Sequence, residues 1–247
     1  MREPDSVTLF ITCLIDGIYP EVGTAVVSIF EQLGIMVDYP TDQTCCGQPA
    51  FNAGYRREAR AAARRFIEIF EHAPVIVAPS GSCVHMVRHH YPQLFQDDSR
   101  WLARARQVAA KTFELTEYLV DILGITDLGA SYNGRITYHD SCHLRRGLGI
   151  AGQPRALLAA IKGATFIEMT EAESCCGFGG VFSVKYPEIS TAMVEKKVNH
   201  IIDSGAHVVT GCDISCLMNI AGRLSRLGSP VRCLHIAQLL AGREERT

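Results

Sequence analysis

The stretch Gln43-Thr44-Cys45-Cys46-Gly47-Gln48-Pro49 sets two adjacent cysteines before a glycine, and Cys175-Cys176-Gly177 repeats that arrangement in the second half of the chain. Worked outward from these pairs, the whole chain reads as a duplication. Cys13 stands 32 positions before Cys45, and Cys142 stands 33 before Cys175. Cys83 follows Cys46 by 37 positions, and Cys216 follows Cys176 by 40. Both closing cysteines follow a serine and precede an apolar residue, in Ser82-Cys83-Val84 and Ser215-Cys216-Leu217. At an offset of 120, Phe113 to Leu123 parallels the segment that begins at Cys233, with Leu119 set against Leu239. Four cysteines copied in order mark two structural units. They are expected over residues 1–124 and 135–247, joined near Gly129 to Gly134.

Hydrophobic patterning places each cysteine just after a strand. In the first unit strands are expected at 7–12, 36–39 and 75–78, with helices at 21–33 and 56–71. The second helix carries Ala59, Ala62, Ala63, Phe66, Ile67 and Phe70 on one face. In the second unit strands are expected at 135–138, 165–168 and 208–210, with helices at 154–161 and 186–203. Strands alternating with helices imply a parallel sheet with right-handed crossovers. The fold class is therefore α/β, with two pseudo-symmetric repeats, each a small parallel sheet with flanking helices. Loops that follow parallel strands gather along one sheet edge, where open α/β sheets bind ligands. Cysteines far apart in sequence can converge there.

Composition bounds the chemistry. The 247 residues are 47% hydrophobic and 20% charged, with a formal net charge of −2. No basic cluster of the kind that nucleic acid requires is present. No apolar run reaches the ~18–20 residues of a membrane span. The start Met1-Arg2-Glu3-Pro4-Asp5 does not read as a secretory signal. A cytoplasmic protein is expected, with membrane association only through partners. In a reducing compartment ten cysteines at organised spacings point to metal or redox chemistry rather than to disulfides.

Thiolates are soft ligands suited to iron–sulfur clusters, zinc or copper(I). Two adjacent cysteines seldom close a relaxed disulfide, but side by side they grip neighbouring atoms of a multinuclear centre. The short paired knuckles of a zinc ribbon are absent. The expected ligands are Cys13, Cys45, Cys46 and Cys83 in one unit and Cys142, Cys175, Cys176 and Cys216 in the other. An iron–sulfur cluster, of the 4Fe-4S type, is expected in the second unit, and an iron–sulfur cluster or zinc in the first. His139 and His143 flank Cys142 as candidate donors to cluster sulfurs; the alternative is a pairing of His139 with Asp140. Cys212 is either a spare ligand or a thiol beside the site. Cys233, set against Phe113, reads as a small buried hydrophobe. His85, His89 and His90 read as a solvated helix face.

Several motifs together, Phe10-Ile11-Thr12-Cys13-Leu14, Gln43 to Pro49, Pro79-Ser80-Gly81-Ser82-Cys83 and His139-Asp140-Ser141-Cys142-His143-Leu144, resemble the CCG (cysteine-rich) domain family, in particular its lactate-utilisation group. That family also holds a component of heterodisulfide reductase and the iron–sulfur component of glycolate oxidase. The resemblance covers nearly the whole chain. It implies an electron-transfer role in oxidising L-lactate to pyruvate, beside partner subunits that include a ferredoxin-type iron–sulfur protein. Catalysis by this chain itself, as a heterodisulfide-reductase-like or quinone-linked oxidoreductase component, is the alternative; a structural zinc protein that assembles partners is another. The sequence departs from the heterodisulfide reductase pattern, which closes each motif with C-x-x-C. Ser80 and Asp213 stand where that pattern has its penultimate cysteine.

Overall fold

The computed structural model describes residues 6–242; the segment 1–5, which carries the signal-peptide expectation, lies outside the described residues. Strands β1 (Ser6–Leu9), β2 (Met36–Asp38), β3 (Ile76–Ala78) and β4 (Thr112–Glu114) form one sheet in the order β2-β1-β3-β4. Strands β5 (Ser131–Tyr138), β6 (Lys162–Phe166), β7 (Val208–Gly211) and β8 (Arg232–His235) form a second in the order β6-β5-β7-β8. Every pairing is parallel. The strand order is identical in the two sheets, so the duplication read from the cysteines is a duplication of architecture.

The central strands are buried on both faces, as the run Ile76-Val77-Ala78 requires of a parallel sheet covered by helices. Helix Arg56–Phe70 packs Ala59, Ala63, Phe66, Ile67 and Phe70 inward and turns its arginines to solvent. Phe10 meets Phe66 edge to face at 4.8 Å and ties this helix to the end of β1. Helix Pro187–Asp203 covers the second sheet in the same way, with Ser190, Val194, Lys197, Val198 and Ile201 buried.

Each sheet has four strands where three were expected. β4 and β8 are short and end in Glu114 and His235, polar residues that read as loop. Helices Ser99–Ala110 and Ile214–Arg226 complete the crossovers to them. β5 begins at Ser131 rather than 135, because Asn133-Gly134 carries a turn signal that the sheet overrides. The offset between the closing segments is 121, since Glu114 and His235 both cap the helix that follows their strand. Cys233 therefore matches Thr112, not Phe113, and it is half-buried, packed against the core.

The repeats embrace reciprocally, as the two halves of a two-fold interface do. Helix Ile236–Leu240 packs on Pro20–Gln32, and Leu115–Glu117 packs on Gly152–Ala159. Helix Gly81–His85 lies against the turn His143–Gly147, and Cys13–Ile18 lies against Ile214–Arg226. Phe30, Tyr118, Tyr138, Leu157 and Leu239 belong to one core shared by both repeats. Among the described residues no helix is long and apolar enough to cross a membrane.

Candidate metal centre

The chain runs from β1 to β2 on one side and then crosses to β3 on the other. The carboxyl ends of β1 and β3 thus flank the crevice where such sheets bind ligands. Cys13 opens helix Cys13–Ile18 directly after β1, and Cys83 sits in helix Gly81–His85 after β3. The Ser80 hydroxyl caps the latter by accepting the Cys83 N–H at 3.3 Å. Cys45 and Cys46 arrive on the loop after β2. Gly47 ends that loop at φ +83°, and a Cβ there would lie 2.9 Å from the Ala62 Cβ, so glycine lets the loop press against helix Arg56–Phe70. Gly177 does the same at φ +81°, with a Cβ 2.6 Å from the Ser190 carbonyl oxygen. Both glycines thus serve contact with the helix that follows.

All eight expected ligands come together as two sets. Cys46 Sγ lies 3.4 Å from Cys83 Sγ, the thiols of Cys13 and Cys46 lie close enough to Cys45 to act on its ionisation, and the Gly47 N–H donates to Cys45 Sγ at 3.4 Å. The second set repeats this chain of contacts from Cys142 through Cys175 and Cys176 to Cys216, again with a 3.4 Å bond from Gly177 N–H to Cys175 Sγ. Hydrogen bonds from Cys13 and Cys46 hold the Cys45 thiol down at about 3, and those from Cys142 and Cys176 hold Cys175 down at about 2. The donors Cys13, Cys46, Cys142 and Cys176 are pushed up in turn. Each set thus keeps a thiolate by sharing the protons of its neighbours, and a bound cation would displace those protons. Four soft donors per set suit a thiophilic metal centre.

His139 is 1% exposed, and neither ring nitrogen has a hydrogen-bond partner. Its ligand atom lies within 4.8 Å of those of Cys176 and Cys216. It does not pair with Asp140, whose carboxylate is taken by Arg145 at 2.6 Å and Arg155 at 2.8 Å. His143 Nδ1 lies 3.6 Å from Cys142 Sγ. His85 leaves the solvated face expected of it: it is half-buried, with its ring centroid 5.1 Å from that of His143 across the seam. Burial, aided by the imidazoles of His143, His90 and His89, lowers its pKa to about 4. Cys212 joins neither set. It is fully buried in the shared core, 3.3 Å from the Tyr138 hydroxyl.

Two features carry no sequence motif. Asp213, 1% exposed, accepts at Oδ1 from the Ser80 hydroxyl (2.8 Å), the Ser82 N–H (3.0 Å) and the Ser82 hydroxyl (2.7 Å), and at Oδ2 from the Ser141 hydroxyl. The positions that depart from the C-x-x-C pattern, Ser80 and Asp213, are therefore bonded to each other across the seam. Lys197 is fully buried beneath the second set, and its ammonium donates to the carbonyls of Glu171 (2.7 Å) and Ala172 (3.0 Å). Its place in the apolar stripe of helix Pro187–Asp203 was the one available signal. Both cysteine sets line a single cavity of about 380 Å³, whose apolar lining comes from Leu14, Pro49, Phe178, Val181, Val184 and Ile214.

Comparison with known proteins agrees with this geometry. The cysteine-rich domain family, CCG, matches residues 7–88 and 136–221, once in each repeat. Lactate utilization protein A of an Exiguobacterium strain is 52% identical over 237 residues, covering 95% of this chain and 96% of the relative. Lactate utilization protein A of Geobacillus kaustophilus is 50% identical over 237 residues, covering 96% and 99%. A solved structure of a hypothetical protein from Helicobacter pylori superposes with a TM-score of 0.66 at 12% identity. It covers 99% of this chain, which spans 50% of that protein, and the likeness is one of fold.

Proposed function

The chain belongs to the cysteine-rich domain (CCG) family, carrying that domain twice, and on this premise we propose that it is an iron–sulfur electron-transfer protein serving the oxidation of L-lactate to pyruvate. The observation that carries the reading is the pair of four-thiol sets opening onto one cavity. A structural zinc site is closed by its four ligands; sets that leave about 380 Å³ between them favour larger, multinuclear centres. Cys13, Cys45, Cys46 and Cys83 hold one centre and Cys142, Cys175, Cys176 and Cys216 the other, each of the 4Fe-4S type. When bound, such a centre supplies one-electron chemistry.

The residues around the sets govern access. Leu14, Pro49, Phe178 and Ile214 line the cavity with apolar surface beside the thiols, of which Cys46, Cys83, Cys176 and Cys216 are buried and Cys13 is exposed. The role in lactate metabolism follows from relatives named lactate utilization protein A. Partner subunits, a ferredoxin-type iron–sulfur protein among them, pass the electrons on. The working units are the two repeats expected over 1–124 and 135–247, with the second taking in the whole of β5 from Ser131, and the protein works in the cytoplasm.

The test uses the full chain purified without oxygen. Its visible absorption should bleach with dithionite and recover on oxidation. The chain alone should not turn over L-lactate with an artificial dye, whereas addition of the partner subunits should restore turnover. Lactate oxidation by the isolated chain would overturn the electron-transfer assignment in favour of a catalytic one.

A further inference from the structure

We propose that the two centres are unequal, the one in the second repeat having the higher reduction potential, because His139, His143 and Lys197 stand where the first repeat has Phe10, Leu14 and Phe66. This rests on the iron–sulfur reading above.

The equivalences come from geometry. His139 precedes Cys142 by three positions, as Phe10 precedes Cys13, and His143 follows it as Leu14 follows Cys13. For the covering helices the glycine contacts set the register: a Cβ on Gly47 would meet Ala59 and Ala62, and one on Gly177 would meet Ser190 and Met193. Ser190 thus matches Ala59, and Lys197 matches Phe66. The buried residues then coincide along both helices, Ala63 with Val194, Ile67 with Val198 and Phe70 with Ile201. The edge-to-face pair Phe10–Phe66 beneath the first set is replaced beneath the second by an imidazole and an ammonium.

Reduction adds negative charge to a centre, and the potential follows local charge, hydrogen bonds to sulfur and exposure. A neutral imidazole carries one N–H donor. His139 brings that ring within 4.8 Å of two thiols of the second set, with no other partner for either nitrogen. His143 adds a second ring against Cys142. Lys197 is fully buried beside this set: burial lowers its pKa to about 8, and the Cys176 thiolate opposes that fall. Of the acids around Lys197 and the second set, Asp140 is paired with Arg145 and Arg155 and Glu171 with Lys196 at 2.6 Å, Glu173 is exposed to solvent, and Asp213 is bonded to serines of both repeats. The first set has no counterpart to these groups. Beside it, Tyr91 donates to the Cys46 carbonyl at 2.9 Å and Gln48 to the Ser82 carbonyl at 3.0 Å, neither to a sulfur. The bond from Gly47 to Cys45 and that from Gly177 to Cys175 have equal length and cancel in the comparison. With both centres bound, an electron shared between them would rest on the second, the first being oxidised as the second is reduced, with no bond made or broken.

A mediated redox titration of the full chain, followed by EPR and visible absorption, tests this. Cys46→Ser and Cys176→Ser, each retaining one centre, identify which signal belongs to which repeat. The second-repeat signal should appear first on reduction. Lys197→Gln and His139→Phe should each lower the reduced-to-oxidised ratio of that centre at least tenfold at fixed potential, about 59 mV for one electron, and leave the first-repeat signal in place. Equal potentials, a higher potential in the first repeat, or loaded variants whose potentials do not move would overturn the inference. The wild-type ordering needs no variant, so a misfolded substitution does not remove the test. Zinc in place of iron in either set would overturn the iron–sulfur reading itself, and metal analysis of the same sample distinguishes that failure from the others.

Discussion

Cys212 and Cys216 stand four positions apart at the end of β7, yet their surroundings give them different work. The Cys216 thiol touches Cys176 and is held down to about 6 by that thiol and by His139, against its burial. The Cys212 thiol is pushed well up by burial, with Glu114 and Asp213 adding to it, and it faces Tyr138 in the shared core. The eight assigned cysteines line the cavity and Cys212 does not, so its thiol is not placed to ligate. Cys212→Ser should leave the metal content of the anaerobically purified protein unchanged and destabilise the fold by about 1–2 kcal/mol through a buried hydroxyl. Cys216→Ser should lose the second-repeat metal, because serine offers a hard, protonated oxygen in place of a soft thiolate. Iron analysis of the two variants decides it: loss from Cys212→Ser with retention in Cys216→Ser would reverse the ligand assignment. The ligand spacings were legible because adjacent cysteines and parallel-sheet loops leave few alternatives. Lys197 was not, since a lone lysine within a helix carries no spacing to read, and the cysteine register marked the position of Asp213 without the bonds it makes across the seam.

At the scale of the element, the segments that close each repeat decide how the halves meet. β4 ends in Glu114, which caps Leu115–Glu117 by accepting the N–H groups of Thr116 (2.7 Å) and Glu117 (3.4 Å). The residue is fully buried, and its other carboxylate oxygen has no partner. Burial raises its pKa from 4.5 to about 8, with the Asp213 charge adding to the rise and the cap bonds opposing it. The folded state therefore holds a proton that the unfolded chain releases above pH 4.5. Stability is fully present below that pH and falls as pH rises toward 8, by at most about 1.4 kcal/mol per pH unit. Urea midpoints measured from about pH 5 to 8 should fall more steeply for the wild type than for Glu114→Gln, whose amide cannot ionise. Parallel curves would mean that Glu114 is ionised in the folded protein. This element escaped a reading by hydrophobic period because three residues ending in glutamate do not resemble a strand. The long helices 56–70 and 187–203, whose apolar stripes repeat over three turns or more, were legible to within a residue.

Across the whole molecule, duplication and reciprocal packing bring the two sets of thiols to one cavity. Each repeat closes with a helix that packs on the other, Leu115–Glu117 on Gly152–Ala159 and Ile236–Leu240 on Pro20–Gln32. Asp213 then locks the seam with four donors drawn from both repeats. The duplication was readable in the cysteines. The embrace was not, because the residues that make it are ordinary apolar and hydroxyl side chains whose partners lie far away along the chain. The most direct test is the iron, acid-labile sulfide and zinc content of the full chain purified without oxygen, beside Cys46→Ser and Cys176→Ser. Iron and sulfide should be found in equal amounts, halved in either variant, with no zinc. Zinc in place of iron and sulfide, or a single variant that empties both sets, would contradict two independent iron–sulfur centres facing one cavity.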